Sequence, residues 1–156
     1  MKESNGKKTI SKKISPDSAH YNEFIKGLTL KSLVLRNCKA ELFLDVKSLS
    51  EKPISISIEG KSAYEIKDTN AFSMIDAYKI IAKIDNKRLF QFVLEYFLTF
   101  HSAPNIDENC LELYKKSSLH LHTYPFARET VQSLSGKMGV TPLVLPLIKF
   151  ISDKEH

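Results

Sequence analysis

Five histidines and two cysteines are the side chains through which this chain could hold a metal or attack a carbonyl. They are His20, His101, His120, His122 and His156, with Cys38 and Cys110. No G-x-S-x-G, P-loop, G-x-G-x-x-G or C-x-x-C stands among them, so no nucleophile, phosphate cradle or paired thiol is announced. His120-x-His122 would share a face only in a strand. The pair falls on or beside a helix, where positions i and i+2 diverge. A zinc site drawn from His120, His122, Cys110 and a carboxylate matches no ligand spacing, so these histidines are expected on the surface or packed on a helix, with no metal and no cofactor. Cys38 and Cys110 read as small buried or half-buried hydrophobes. Arg128-Glu129 could receive an anion, but a structural ion pair on a helix accounts for it better. These residues point away from an enzyme.

The chain that must position them has 156 residues, the length of one domain. Lys and Arg number 23 against 18 Asp and Glu, a formal charge of +5. Much of that excess sits in residues 1–17, where Lys2, Lys7, Lys8, Lys12 and Lys13 face only Glu3 and Asp17. This stretch buries too little apolar area to offset chain entropy and reads as a flexible basic tail, with residues 18–156 as a single domain. The N-terminus lacks the apolar run of a signal peptide, and Leu89 to Phe100 carries Gln91 and Glu95 and is about half a membrane span in length. Two cysteines build no disulfide framework, so a reducing, cytoplasmic setting is expected.

Periodicity divides the domain into a strand-rich half and a helical half. Gly27 to Lys31 alternates as a strand does, although a helix competes over Asn22 to Arg36. Leu42 to Val46 is a short apolar piece. After Pro53, Ile54-Ser55-Ile56-Ser57-Ile58 alternates strictly, with continuation to Ile66 through Gly60, where a bulge is expected. Ala77 to Ile84 and Leu89 to Phe100 form a hairpin about the turn residues Asp85-Asn86-Lys87. In the second strand, Phe90, Phe92, Leu94, Tyr96, Leu98 and Phe100 make one wholly apolar face, either core or interface, and the other face is mixed.

Beyond Pro104 the period changes to that of helices. One starts near Asp107-Glu108-Asn109. A second runs from Ser118 to Lys137 with Leu119, Phe126, Thr130, Leu134 and Lys137 on one side. Pro125 predicts a kink in it, or a start near Thr123. Thr141 to Ile148 then forms an extended, very apolar loop broken by Pro142 and Pro146. The fold class is α+β: a four-stranded antiparallel sheet packed with a long C-terminal helical segment. Its apolar surface exceeds what one helical layer needs, which implies an oligomer interface, a groove, or both. A scaffold subunit without activity and an RNA-binding sheet are the competing readings; the second lacks flanking cations, since only Lys87 and Arg88 stand at the hairpin end.

Thr123-Tyr124-Pro125-Phe126-Ala127-Arg128-Glu129-Thr130, followed by Gly139-Val140-Thr141-Pro142-Leu143-Val144-Leu145-Pro146, resembles the signature of SecB-type protein-export chaperones. Upstream, Ala77 to Ile81 and Val93 to Tyr96 are similar to parts of that family's third and fourth strands. The resemblance implies an ATP-independent holdase, a homotetramer that keeps unfolded clients extended in hydrophobic grooves and can deliver them to the SecA motor. Carried onto this chain, it places client binding at Leu42, Phe43, Leu44, Val140, Leu143, Val144, Leu145 and Leu147. It places an oligomer interface or groove at Phe92, Leu94, Tyr96 and Leu98, and a motor-docking face at Val93 and Glu95. Export members are typically acidic, whereas this chain is basic and has only a short sequence after Pro146. It resembles at least as well the branch that guards an aggregation-prone antitoxin in toxin–antitoxin–chaperone modules, so the expected partners are unfolded polypeptides, a cognate antitoxin or SecA, and neither membrane nor nucleic acid.

Overall fold

The computed structural model of the chain describes residues 16–44 and 52–147. Of the expected tail, residues 1–15 lie outside that range. Asp17 belongs to the first helix, because its carboxylate accepts the Ala19 N–H at 3.3 Å and caps α1 (Ser18–Gly27). The competition between helix and strand over Asn22 to Arg36 is resolved at Gly27. The helix ends there and β1 (Leu28–Leu42) begins at once. Gly27 suits the junction for a packing reason as well: a Cβ at this position would stand 2.4 Å from Pro104 Cδ.

Four antiparallel strands form the sheet, in the order β1-β4-β3-β2. β3 (Ala71–Ile84) and β4 (Lys87–Ser102) are joined by Asp85 and Asn86 alone, at φ 49° and 62°. Two consecutive left-handed residues make the mirror-image turn that matches strand twist, and Asp and Asn tolerate it. β2 (Ser55–Ile66) pairs with β3 without interruption from Ser55 opposite Lys83 to Ile66 opposite Phe72, so the bulge expected at Gly60 is absent. The irregularities fall in β1 instead, after Leu30 and after Leu35. β3 starts six residues earlier than the periodicity suggested, since Ser73 and Asp76 interrupt its apolar run but are buried with partners.

The inner sheet face carries the core. All six even-numbered residues from Phe90 to Phe100 are buried, beneath α2 (Glu108–Ser117) and α3 (Leu119–Lys137). Phe72 and Phe100 stack at 4.9 Å, and Tyr114 of α2 meets Phe100 edge-on. Phe92, Leu94, Tyr96 and Leu98 are therefore interior residues of this chain, which corrects their expected place at an oligomer interface. Their burial also removes them as rings on which bases could stack. α3 is continuous from Leu119 through Pro125, so no new start falls near Thr123. The carbonyl that Pro125 cannot bond belongs to Leu121, an exposed residue within reach of water. Its buried side is Leu119, Thr123, Ala127, Val131 and Ser135, a stripe one step away from the one read in the sequence; Phe126 points outward.

Replacing Gly27 with Ala should lower stability by about 1–3 kcal/mol, the range for overpacking against a rigid neighbour. The denaturant midpoint of this variant checks the contact, and an unchanged midpoint would show that Pro104 gives way.

Candidate functional site

The first turns of α3 separate two apolar clefts. On one side a cleft of about 280 Å³ is lined by Ile25, Leu28, Leu30, Phe100, Leu121 and His122, among others. On the other a cleft of about 320 Å³ lies between β2 and α3, lined by Ile58, Gly60, Tyr78, His120, Tyr124, Pro146 and Leu147. The divergence expected of His120 and His122 is therefore real, and each serves a different wall. His122 Nε2 meets the Tyr114 hydroxyl at 2.7 Å, and burial pushes that phenol up to about 12.

His120 belongs to a buried polar cluster that the sequence did not reveal. Asp76 is fully buried in β3. One of its oxygens receives the Tyr78 hydroxyl at 2.8 Å, the Thr123 hydroxyl, and His120 Nδ1 at 2.9 Å; the other receives the Ser62 hydroxyl at 3.0 Å. The cluster ties β2, β3 and α3 together. Burial pushes the Asp76 carboxyl up, but the hydrogen bonds and charge of His120, with those of Thr123 and Tyr78, outweigh it and hold the group below the usual carboxylate range. The hydrogen bond from Asp76 in turn raises His120 against the opposing effect of burial.

The segment after α3 is less open than the sequence implied. Gly139, at φ 80°, ends the helical turn and reverses the chain. The chain then runs back along α3. Leu143 N–H donates to the Ser135 hydroxyl at 2.8 Å, Arg128 Nε donates to the Leu145 carbonyl at 3.0 Å, and the Tyr124 hydroxyl donates to the Pro146 carbonyl at 2.6 Å. Arg128 thus holds this strap, where an ion pair with Glu129 had been expected. In an extended strap alternate residues face opposite ways. Leu145 is 0% exposed and Leu143 9%, whereas Val144 is 58% and Leu147 72% exposed. Leu143 and Leu145 are therefore core residues, which corrects their expected role as client contacts. Val144 and Leu147 are free, Val140 is half-buried, and only Leu147 of the expected residues lines the described cleft.

The remaining residues fall elsewhere. Leu42 ends β1, and Phe43 continues beside it, donating its N–H to the Leu89 carbonyl with the Arg88 guanidinium 5.1 Å above its ring. Leu44 packs on the core edge, while Asp45 and Val46 lie outside the described residues. Val93 and Glu95 stand on the outer sheet face. Glu95 is held by Arg36 Nε at 2.7 Å, and Val93 adjoins Lys61 and Lys79. Cys38 is exposed and Cys110 buried, so only the second matches its expected packing. Among the described residues, His20, Asp107 and Cys110 bring potential metal-ligand atoms within 4.8 Å of one another. There Asp107 accepts the Asn109 N–H at 2.8 Å as cap of α2 and bonds His20 at 2.9 Å; burial, with Asp107 beside it, raises the Cys110 thiol.

No protein-family model matches the chain, and no curated protein does. Its fold does match solved structures. A Mycobacterium tuberculosis SecB-like chaperone, solved in complex with a ChAD peptide from the HigA1 antitoxin, superposes with a TM-score of 0.70 over 80% of this chain and 93% of that one, at 18% identity. A Streptococcus agalactiae protein of unknown function superposes at 0.45 with 6% identity, over 77% of this chain and 97% of that one. The fold of this chain is SecB-like, an α+β arrangement with a four-stranded antiparallel sheet. Among the described residues no helix is long and apolar enough to cross a membrane.

Two outcomes follow from this geometry. Leu145→Ala should cost about 2–5 kcal/mol in urea unfolding, whereas Val144→Ala should stay within about 0.5 kcal/mol; equal costs would contradict the in–out alternation of the strap. The melting temperature should also pass through a maximum with pH. Asp76 is depressed, so its contribution is present above the ordinary 3.8 and disappears as pH falls through the folded value. His120 is raised, so its contribution is full below 6.5 and disappears as pH rises through the folded value. His120→Gln should flatten the alkaline limb, and a wild-type limb that persists in this variant would assign the effect to other groups.

Proposed function

We propose that the chain is a nonenzymatic, ATP-independent chaperone subunit that holds unfolded or aggregation-prone polypeptides in apolar grooves. The observation that carries this reading is apolar surface left open on a SecB-like frame. Two clefts flank the start of α3, and the strap exposes Val144 and Leu147 beside them. Shallow apolar sites on a rigid frame bind many sequences weakly, and several along one chain sum through effective concentration.

The subunit works as a homo-oligomer, with a tetramer as the proposed form. Leu30, Leu35, Cys38, Ala40 and Leu42 sit opposite the buried residues of β4, so they face the core side, yet Leu35 and Leu42 are 42% and 40% exposed. A second copy covers this side of β1 in our reading; each Leu so buried contributes roughly 1.5–3 kcal/mol. An antitoxin is the proposed client, because the structural neighbour was solved with an antitoxin-derived peptide. Coupling to SecA gains no support from the outer face, where Arg36 neutralises Glu95 and Lys61 and Lys79 flank Val93.

Suppression of aggregation tests the reading. Without ATP, the protein should prevent light scattering by a denatured test protein diluted from guanidinium, at near-stoichiometric ratio. Light scattering of the protein alone should give a multiple of 17.8 kDa, and Leu35→Glu should reduce that mass. A monomer that leaves aggregation untouched would overturn both parts of the proposal.

A further inference from the structure

The cleft between β2 and α3 contains one side-chain nitrogen without a partner. His120 commits Nδ1 to Asp76 and Tyr78, and no bond is formed by Nε2. Among the described residues no buried side-chain nitrogen or oxygen lacks a partner, so Nε2 is solvent-accessible. The ring lines this cleft, and the missing side chain of Gly60 keeps its edge open: even a Cβ there would stand 3.9 Å from His120 Cε1. On the polypeptide-holding reading above, we infer that His120 makes this cleft selective for client segments in which a carboxylate accompanies an apolar side chain.

The chemistry follows from the other side of the ring. The buried Asp76 carboxylate accepts from Nδ1 and fixes the proton there. The neutral ring then offers only an acceptor at Nε2. The protonated ring, which Asp76 favours, offers an N–H to the cleft. A client carboxylate gains a charge-assisted hydrogen bond from it, and a client ammonium meets a cation. The apolar walls Ile58, Tyr124, Pro146 and Leu147 take the neighbouring side chain.

The groups facing the ring add no competing charge. From β3 come Asp76 and Tyr78, and from β2 the neutral Ser62 and Gly60. From α3 come Thr123, bonded to Asp76, and Tyr124, whose hydroxyl is spent on Pro146. The strap supplies only Pro146 and Leu147. Glu59 and Lys61 flank Gly60 in sequence, but a strand turns alternate residues to the opposite face, where they pair with Lys79 and Ala77. Acidic preference should therefore weaken as pH rises through the His120 transition.

Short fluorescein-labelled leucine-rich peptides carrying one Asp, or Lys in its place, test this by anisotropy at about pH 6 and about pH 8.5, a range in which neither peptide side chain changes charge appreciably. The Asp peptide should bind roughly tenfold tighter than the Lys peptide at the lower pH, with the gap closing at the higher. His120→Gln should abolish the gap while apolar binding persists; His101→Gln, on the outer sheet face, should leave it intact. Equal binding of both peptides at both pH values, or a Lys preference, overturns the inference and leaves the holding function standing. Binding of neither peptide removes the holding function itself. If His120→Gln fails to fold, the wild-type pH series decides alone.

Discussion

Two helices of 10 and 19 residues lie against a sheet of four long strands, and that ratio of cover to surface governs the molecule. α2 and α3 lie against β2, β3 and β4. Beneath them the even-numbered side chains of β4 pack as a dry core, with Tyr78, Ile80 and Met74 of β3. The next strand over, β1, is hydrogen-bonded to β4 along its length and carries leucines on the same face, but those leucines remain partly in water. A sheet built wider than its cover leaves apolar area to other chains, whether copies of itself or clients.

The position of α3 is fixed by polar as well as apolar contacts. Burying Asp76 without partners would be costly, so the donors from Ser62, Tyr78, Thr123 and His120 are obligatory rather than decorative. Apolar packing alone would let α3 slide along the sheet; the carboxylate specifies one register. The strap is then tied to α3 through Ser135, Arg128 and Tyr124, which sets Leu147 at the lip of the cleft. Frame, cleft and strap thus depend on one another in sequence.

Much of the frame was legible in the residues. β4 was read with the correct faces because period-2 alternation of large apolar residues has few alternatives, and Asp85-Asn86 announced its own turn. The interface assignment of Phe92 to Leu98 failed because alternation tells which side is dry and not what dries it. The strap misled for a related reason: Leu143, Val144, Leu145 and Leu147 look equivalent in composition, and only the hydrogen bonds from α3 set the phase that buries two and exposes two. Asp76 was missed because an acid in an apolar run reads as the end of a strand. It lies in phase with Tyr78 and Ile80, and carrying that alternation backward would have placed it inside. Its partners, 14 residues before and 44 to 47 after it, come together only through the fold.

Hydrogen–deuterium exchange of the protein with and without a permanently unfolded, reduced and carboxymethylated polypeptide tests the central claim most directly. If the open apolar surface holds clients, the backbone amides around Ile56 to Tyr64 and Val140 to Leu147 should exchange more slowly in the complex, while the β3–β4 hairpin stays as it was. An unfolded polypeptide that alters exchange at neither region would contradict the account.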